Sequence, residues 1–164
     1  METSKVLEMQ RTEPLFLPRE GGGVRPLPEV LLRIRSDERV KKAVMRREGI
    51  TVHTKPITLG KVVIGTYKIN LSWSSIYEIA KLKITRNEGT IEGVNHPFVS
   101  SEGNPCFGTQ ASVVERAKKS KDWHGVMLMA LDILECQTVA EDSGPYRSVA
   151  SFKAGVRNAS HRQV

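Results

Sequence analysis

The sequence predicts an α+β fold: an antiparallel sheet of about four strands with helices against it. Three observations carry that expectation. Tyr67, Ile69, Leu71 and Trp73 alternate with Lys68, Asn70 and Ser72, the period-2 pattern of a strand with one wet face. Trp123, Val126, Met127, Met129, Ala130, Ile133 and Leu134 form a broad apolar stripe at helical spacing. Between these two segments, 95–108 holds two Pro, two Gly, a His and a Cys, a composition that excludes a regular helix or a central strand.

Residues 1–28 read as a flexible arm. Pro14, Pro18, Pro26 and Pro28 flank Gly21-Gly22-Gly23, and Leu15-Phe16-Leu17 is the one apolar cluster. A helix is expected from Glu29 to about Arg47. Val30, Leu31, Ile34, Val40 and Val44 fall roughly on one face, Ser36-Asp37 is an interruption that caps a second turn, and Gly49 is the stop. Strands are expected from Ile50 to Trp73 and from Ile79 to Thr85, with a turn at Asn87-Glu88-Gly89. Ala111–Lys119 reads as a short helix and Trp123–Cys136 as the strongest one. Asp142-Ser143-Gly144-Pro145 closes the domain, 29–145. The remainder, 146–164, reads as a tail or marginal helix, with Phe152 and Val156 at helical spacing.

The chain has 164 residues, 39% of them apolar, enough for one core. Its net charge of +7 permits weak binding to nucleic acid or to an acidic partner surface, but the basic residues are spread along the chain and read as a solvated surface. No nucleic-acid motif is present, so nucleic acid is not an expected partner. Two cysteines make no disulfide framework. Cys136, near the end of an apolar run, reads as a core residue. The segment from Met1 to Arg11 lacks the apolar stretch of a signal peptide, and no run reaches a membrane span. A reducing cytoplasm is therefore the expected location, with no membrane association. The spacings of His96, Cys106, His124 and Cys136 match no zinc motif, and the Gly-rich arm lacks the residues of a phosphate loop. No metal or cofactor is expected.

The loop offers chemistry through Cys106. A thiolate attacks an activated carbonyl to give an acyl-enzyme, and transfer between thioesters needs positioning more than strong acid–base groups. His96-Pro97, Val99, Gly103 and Cys106 stand in an order and spacing, with Cys106 ten residues after His96, that resemble the active-site segment of ubiquitin-conjugating (E2) enzymes. Phe107-Gly108 after the Cys is similar to the divergent bacterial and mobile-element branch of that family. Where eukaryotic members have Asn directly after His-Pro, this chain has Phe98.

The resemblance implies an E2/UBC-like fold, Cys106 as the thioester-forming nucleophile, and His96 chiefly as a loop-holding hydrogen-bonding group. Pro97, Gly103 and Gly108 would shape the loop. Because Phe98 cannot donate to an oxyanion, Asn104, Asn95 or the amides of Gly103 and Gly108 stand as alternatives; Asn104 is grouped with Cys106 and His96 as a catalytic candidate. The implied partners are an E1-like adenylating enzyme, a ubiquitin-like modifier, an acceptor protein and a deconjugating metalloprotease, in pathways of the phage-defence type. The alternative is a catalytically inactive E2-fold or RWD-like interaction module that keeps the loop for its shape.

Overall fold

The computed structural model describes residues 26–73, 80–136 and 145–162. The 1–25 part of the expected arm, Ile76 and Ile79, and the turn residues Asp142, Ser143 and Gly144 lie outside the described residues.

Helix α1, Leu27–Arg35, carries Pro28 in its first turn, where a missing N–H is harmless, and buries Val30 and Ile34. It stops at Ser36. The Asp37 carboxylate then accepts the Arg39 N–H at 2.8 Å, turning the chain away from the helix axis. The next element is a strand, β1 (Val40–Arg46), and not the second half of a helix as the sequence suggests. A β-bulge between Val40 and Lys42 is the reason. The extra residue moves buried Val40 and Ala43 three positions apart, and that spacing imitates a helix face.

β1 pairs antiparallel with β2 (Gly49–Thr54) through a turn at Arg47-Glu48. β3 (Ile57–Leu59) and β4 (Val62–Gly65) form a separate hairpin. β5 (Tyr67–Ser72) returns beside β2, and β6 (Lys81–Arg86) pairs with β5, so the main sheet has the order β1-β2-β5-β6, all antiparallel. The fold is thus α+β, with a four-stranded antiparallel sheet and flanking helices. Tyr67, Ile69 and Leu71 are buried while Lys68 and Asn70 are exposed, as the alternation requires.

Gly49 is needed for this pairing: a Cβ there would lie 2.1 Å from the Leu71 carbonyl oxygen. The apolar face of the sheet joins α3 (Trp123–Leu134) in one core that includes Ile50, Val52, Ile69, Leu71, Met127 and Leu131. Asp122 caps α3 by accepting the Gly125 N–H at 3.0 Å. Trp123 stacks on Trp73 with centroids 5.1 Å apart. Arg39 ties the α1–β1 turn to the end of α3, bonding Asp37, Asp132 and Glu135.

The last segment forms helix α4, Val149–Arg162. Val149, Phe152 and Val156 are buried within the same core, so this helix is a packed part of the domain.

Candidate functional site

The loop of residues 94–107 is held from inside by polar groups. His96 is fully buried. Its Nδ1 accepts the Phe98 N–H at 3.1 Å, which places the ring proton on Nε2, and Nε2 donates to the Leu134 carbonyl at 2.8 Å. Burial holds its pKa down to about 4, so the ring is neutral at neutral pH. Both ring nitrogens are engaged by backbone groups. His96 therefore positions the loop and does not serve as a base for Cys106.

Asn95, buried beside it, accepts the Arg86 N–H through Oδ1 at 2.9 Å and donates Nδ2 to the Ser100 carbonyl at 2.8 Å. The Tyr67 hydroxyl donates to the Asn95 carbonyl at 2.7 Å. Burial pushes the Tyr67 phenol well above its ordinary pKa, so it stays a donor. Among the oxyanion alternatives read from the sequence, this removes Asn95. The Gly103 amide is removed too, because it donates to the Ser100 carbonyl at 3.0 Å.

Val99 is the loop's apolar pin, fully buried and bridged to His96 and Pro105. Gly103 sits at φ +88°, and its carbonyl accepts the Ile84 N–H at 2.9 Å, which fastens the loop to the free side of β6. A Cβ on Gly103 would meet the Ile84 carbonyl at 3.0 Å. The buried Pro97 offers its carbonyl to the Tyr146 N–H at 3.1 Å, tying the approach to α4 onto the loop.

Cys106 comes next, half-buried, with its own N–H donated to the Phe98 carbonyl at 2.8 Å. It lines an open groove of about 740 Å³ between β6, the loop and the start of α2 (Ala111–Lys119). Gly108 takes φ +56° and begins a 3-10 turn, Gly108–Gln110, that runs straight into α2. Asn104, Gly108, Lys83 and Tyr146 line the same groove. Asn104 Oδ1 accepts from Lys83 Nζ at 2.6 Å. An ammonium only donates, so this contact fixes which end of the amide is oxygen and leaves Nδ2 on the other side. Phe98 is buried, with its side chain in the core cluster.

The structure thus brings Cys106, Asn104 and Gly108 to one groove and places His96, Pro97 and Gly103 beneath it as supports. Lys83, Tyr146 and Asn95 have roles here that the sequence did not single out as a set. Lys83 and Tyr146 are 23 and 40 positions from Cys106 in the chain, and no local pattern links them. Cys136 is half-buried against the core at the end of α3, and burial raises its pKa. Among the described residues, no group of three His, Cys, Asp or Glu side chains is placed to hold a metal ion, and no helix is long and apolar enough to cross a membrane.

A scan against protein-family models, a search of curated proteins and a search of solved structures each returned no match.

Proposed function

We propose that this protein is an E2-like carrier of a ubiquitin-like modifier, with an E2/UBC-like fold and Cys106 as its thioester residue. The Cys106 thiolate attacks the carbonyl of the thioester held by an E1-like adenylating enzyme, and that enzyme's cysteine leaves as thiolate. An amine of the acceptor protein then attacks the Cys106 thioester, gives up a proton, and Cys106 leaves as thiolate. The pathway is a bacterial conjugation system whose products a metalloprotease would remove.

One observation carries the reading. A thiol stands in an open groove, on a loop whose backbone is fixed by His96, Asn95 and the Phe98 carbonyl, immediately before a helix. Thioester exchange is nearly isoenergetic, and a rigid presented thiol supplies the positioning it needs. The bulky Phe98 after His-Pro is accommodated in the core, and the polar work at the groove falls to Asn104 with Lys83.

A second reading is a non-catalytic interaction module. Its support is the same loop: the Cys106, Gly103 and Asn95 donors are all turned to internal acceptors.

A non-reducing gel with an E1-like enzyme, a ubiquitin-like modifier and ATP separates the two. A reductant-sensitive adduct on this protein, lost in Cys106→Ala, supports the carrier. Absence of the adduct while the E1-like enzyme itself is charged supports the module.

A further inference from the structure

The strand register gathers cations that are scattered in the sequence. On the face of the main sheet turned away from the core, Lys42 pairs with His53, and His53 with Lys68, in one row across three strands. Arg46 lies on the same face of β1, four residues beyond Lys42. Exposed Lys41, the residue beside the bulge, adds a further charge at the Lys42 end. The row between is uncharged on its first three strands: Val44, Thr51 and Asn70, with the Thr51 hydroxyl donating to Asn70 Oδ1 at 3.0 Å. None of these face positions is acidic. Among the described residues, no carboxylate forms an ion pair with Lys41, Lys42, Arg46 or Lys68.

His53 reports the resulting field. Its pKa is lowered by burial first, and then by Lys42, Lys68, Lys41 and Arg46. Four cations on the two strands that flank β2 thus act on one imidazole.

The geometry points to this sheet face as a binding surface for the phosphate backbone of duplex nucleic acid. Three strands at about 4.8 Å spacing and four residues along a strand give a patch of roughly 10 by 13 Å. About 13 Å of duplex axis carries roughly eight phosphate charges, enough to engage every cation of the patch. A protein partner fits less well. Protein interfaces are depleted in Lys and depend on buried aromatic or apolar anchors. Among the described residues, the large exposed hydrophobic ones, Leu27, Leu32, Val63 and Tyr146, all lie off this face. The face has no Phe, Tyr or Trp, and its one ring, His53, is half-buried between Lys42 and Lys68, so it offers no open stacking platform for unpaired bases. Binding is then driven by counterion release and is indifferent to base sequence.

The test uses the full chain and a fluorescein-labelled 20-base-pair DNA duplex, followed by anisotropy from low to moderate salt. The triple variant Lys42→Ser, Arg46→Ser, Lys68→Ser is compared with a charge-matched control, Arg116→Ser, Lys119→Ser, Arg157→Ser, on α2 and α4. The wild type is expected to bind with a log–log salt slope of about −3 to −4, for about four phosphates. The sheet variant should lose at least about tenfold in affinity at low salt and about three units of slope, while the control stays near wild type. Circular dichroism confirms that both variants fold; if the sheet variant does not, the single substitution Lys68→Ser replaces it and should lose about one unit of slope. No anisotropy change for the wild type at low salt overturns the proposal. Equal losses in the two triple variants overturn it as well, since they reduce binding to net charge. Tighter binding to a labelled polyglutamate of equal charge than to the duplex assigns the face to an acidic protein and overturns it too. A single strand bound more tightly than the duplex also contradicts the surface described.

Discussion

His96 Nε2 donates to the carbonyl of Leu134, the last residue of α3, across 38 residues of chain. This bond joins the Cys106 loop to the central helix, and α4 covers it: the Phe152 ring lies 6.0 Å from the imidazole. Protonation of His96 would place a hydrogen on Nδ1 against the Phe98 N–H, which already donates to that atom. The folded state therefore disfavours the charged ring, with a pKa held near 4 against an ordinary value of about 6.5. Between those values the unfolded chain binds more protons. Stability from this group is fully present above about pH 6.5 and is lost as pH falls toward 4, by on the order of 3 kcal/mol. Urea midpoints from pH 7 to 4.5 should fall accordingly. His96→Phe should remove most of that slope. At pH 7 it should be the less stable protein, because the Leu134 carbonyl and the Phe98 N–H lose their partner, at about 1–3 kcal/mol each.

The two cysteines should differ in reactivity. Cys106 lines an open groove, whereas Cys136 packs against the core, where burial and then Asp132 raise its pKa. Alkylation depends on the thiolate fraction and on access. Iodoacetamide at pH 7.5, read by peptide mass spectrometry over time, should label Cys106 about fivefold faster or more. Equal rates would mean that the groove gives the Cys106 thiol no advantage in access.

Local periodicity revealed much of this fold, and it failed where a local irregularity copied another period. Ala111–Lys119 and the start of α3 at Trp123 are where the sequence places them, because their apolar residues repeat without interruption. β5 was legible from its clean alternation. β1 was not, because the bulge beside Lys41 set Val40 and Ala43 at a helical interval. α4 read as a tail or marginal helix because its stripe, Val149, Phe152 and Val156, is narrow among polar residues; its order comes from packing onto the His96 ring and onto the turn closed by the Ile91–Val94 bridge. At the site, the residue types of the loop identified Cys106 as a presented thiol. The fixing of Asn104 by Lys83 was not legible, because β6 meets the loop only in three dimensions. The basic sheet face was hidden for the same reason: strand register, and not sequence proximity, brings Lys42 and Lys68 to either side of His53.

Gly155 gives a test of how α4 is seated. A Cβ at this position would lie 2.5 Å from Ile91 Cγ2 and 3.2 Å from Glu92 Cγ. In an exposed helix, Gly→Ala is worth up to about 1 kcal/mol of added stability. Here the obstructing methyl belongs to a buried β-branched residue with little rotamer freedom, so the helix itself must retreat from the Ile91–Val94 turn. Gly155→Ala should therefore destabilise the protein, by about 1–2 kcal/mol. Thermal unfolding gives the sign directly, and a raised midpoint would show that α4 seats less tightly than this contact implies.

Asn104 and Lys83 carry the last prediction, which concerns the chemistry at Cys106. A tetrahedral intermediate at this thiol needs a donor for its oxyanion, and Phe98 supplies none. Asn95 and the amides of Gly103 and Cys106 already donate within the loop. Asn104 lines the Cys106 groove with its oxygen directed to Lys83, which leaves its NH₂ as the donor end. Removing one oxyanion donor in a well-buried site costs about 10²–10³ in rate. Asn104 is exposed, so a smaller loss of about tenfold is expected for Asn104→Ala. Lys83→Met should reproduce part of that loss by releasing the amide to rotate, and Lys83→Arg should restore it. The reaction to follow is acyl transfer from a glycyl-peptide thioester of mercaptoethanesulfonate onto Cys106, read by intact mass with Cys106→Ala as the blank. If wild type acylates and Asn104→Ala matches it, the oxyanion donor lies elsewhere in the groove, and the Gly108 amide at the start of the 3-10 turn becomes the candidate. If wild type itself fails to acylate while iodoacetamide still labels Cys106, the thiol is accessible but its groove does not promote acyl transfer, and the interaction-module reading gains.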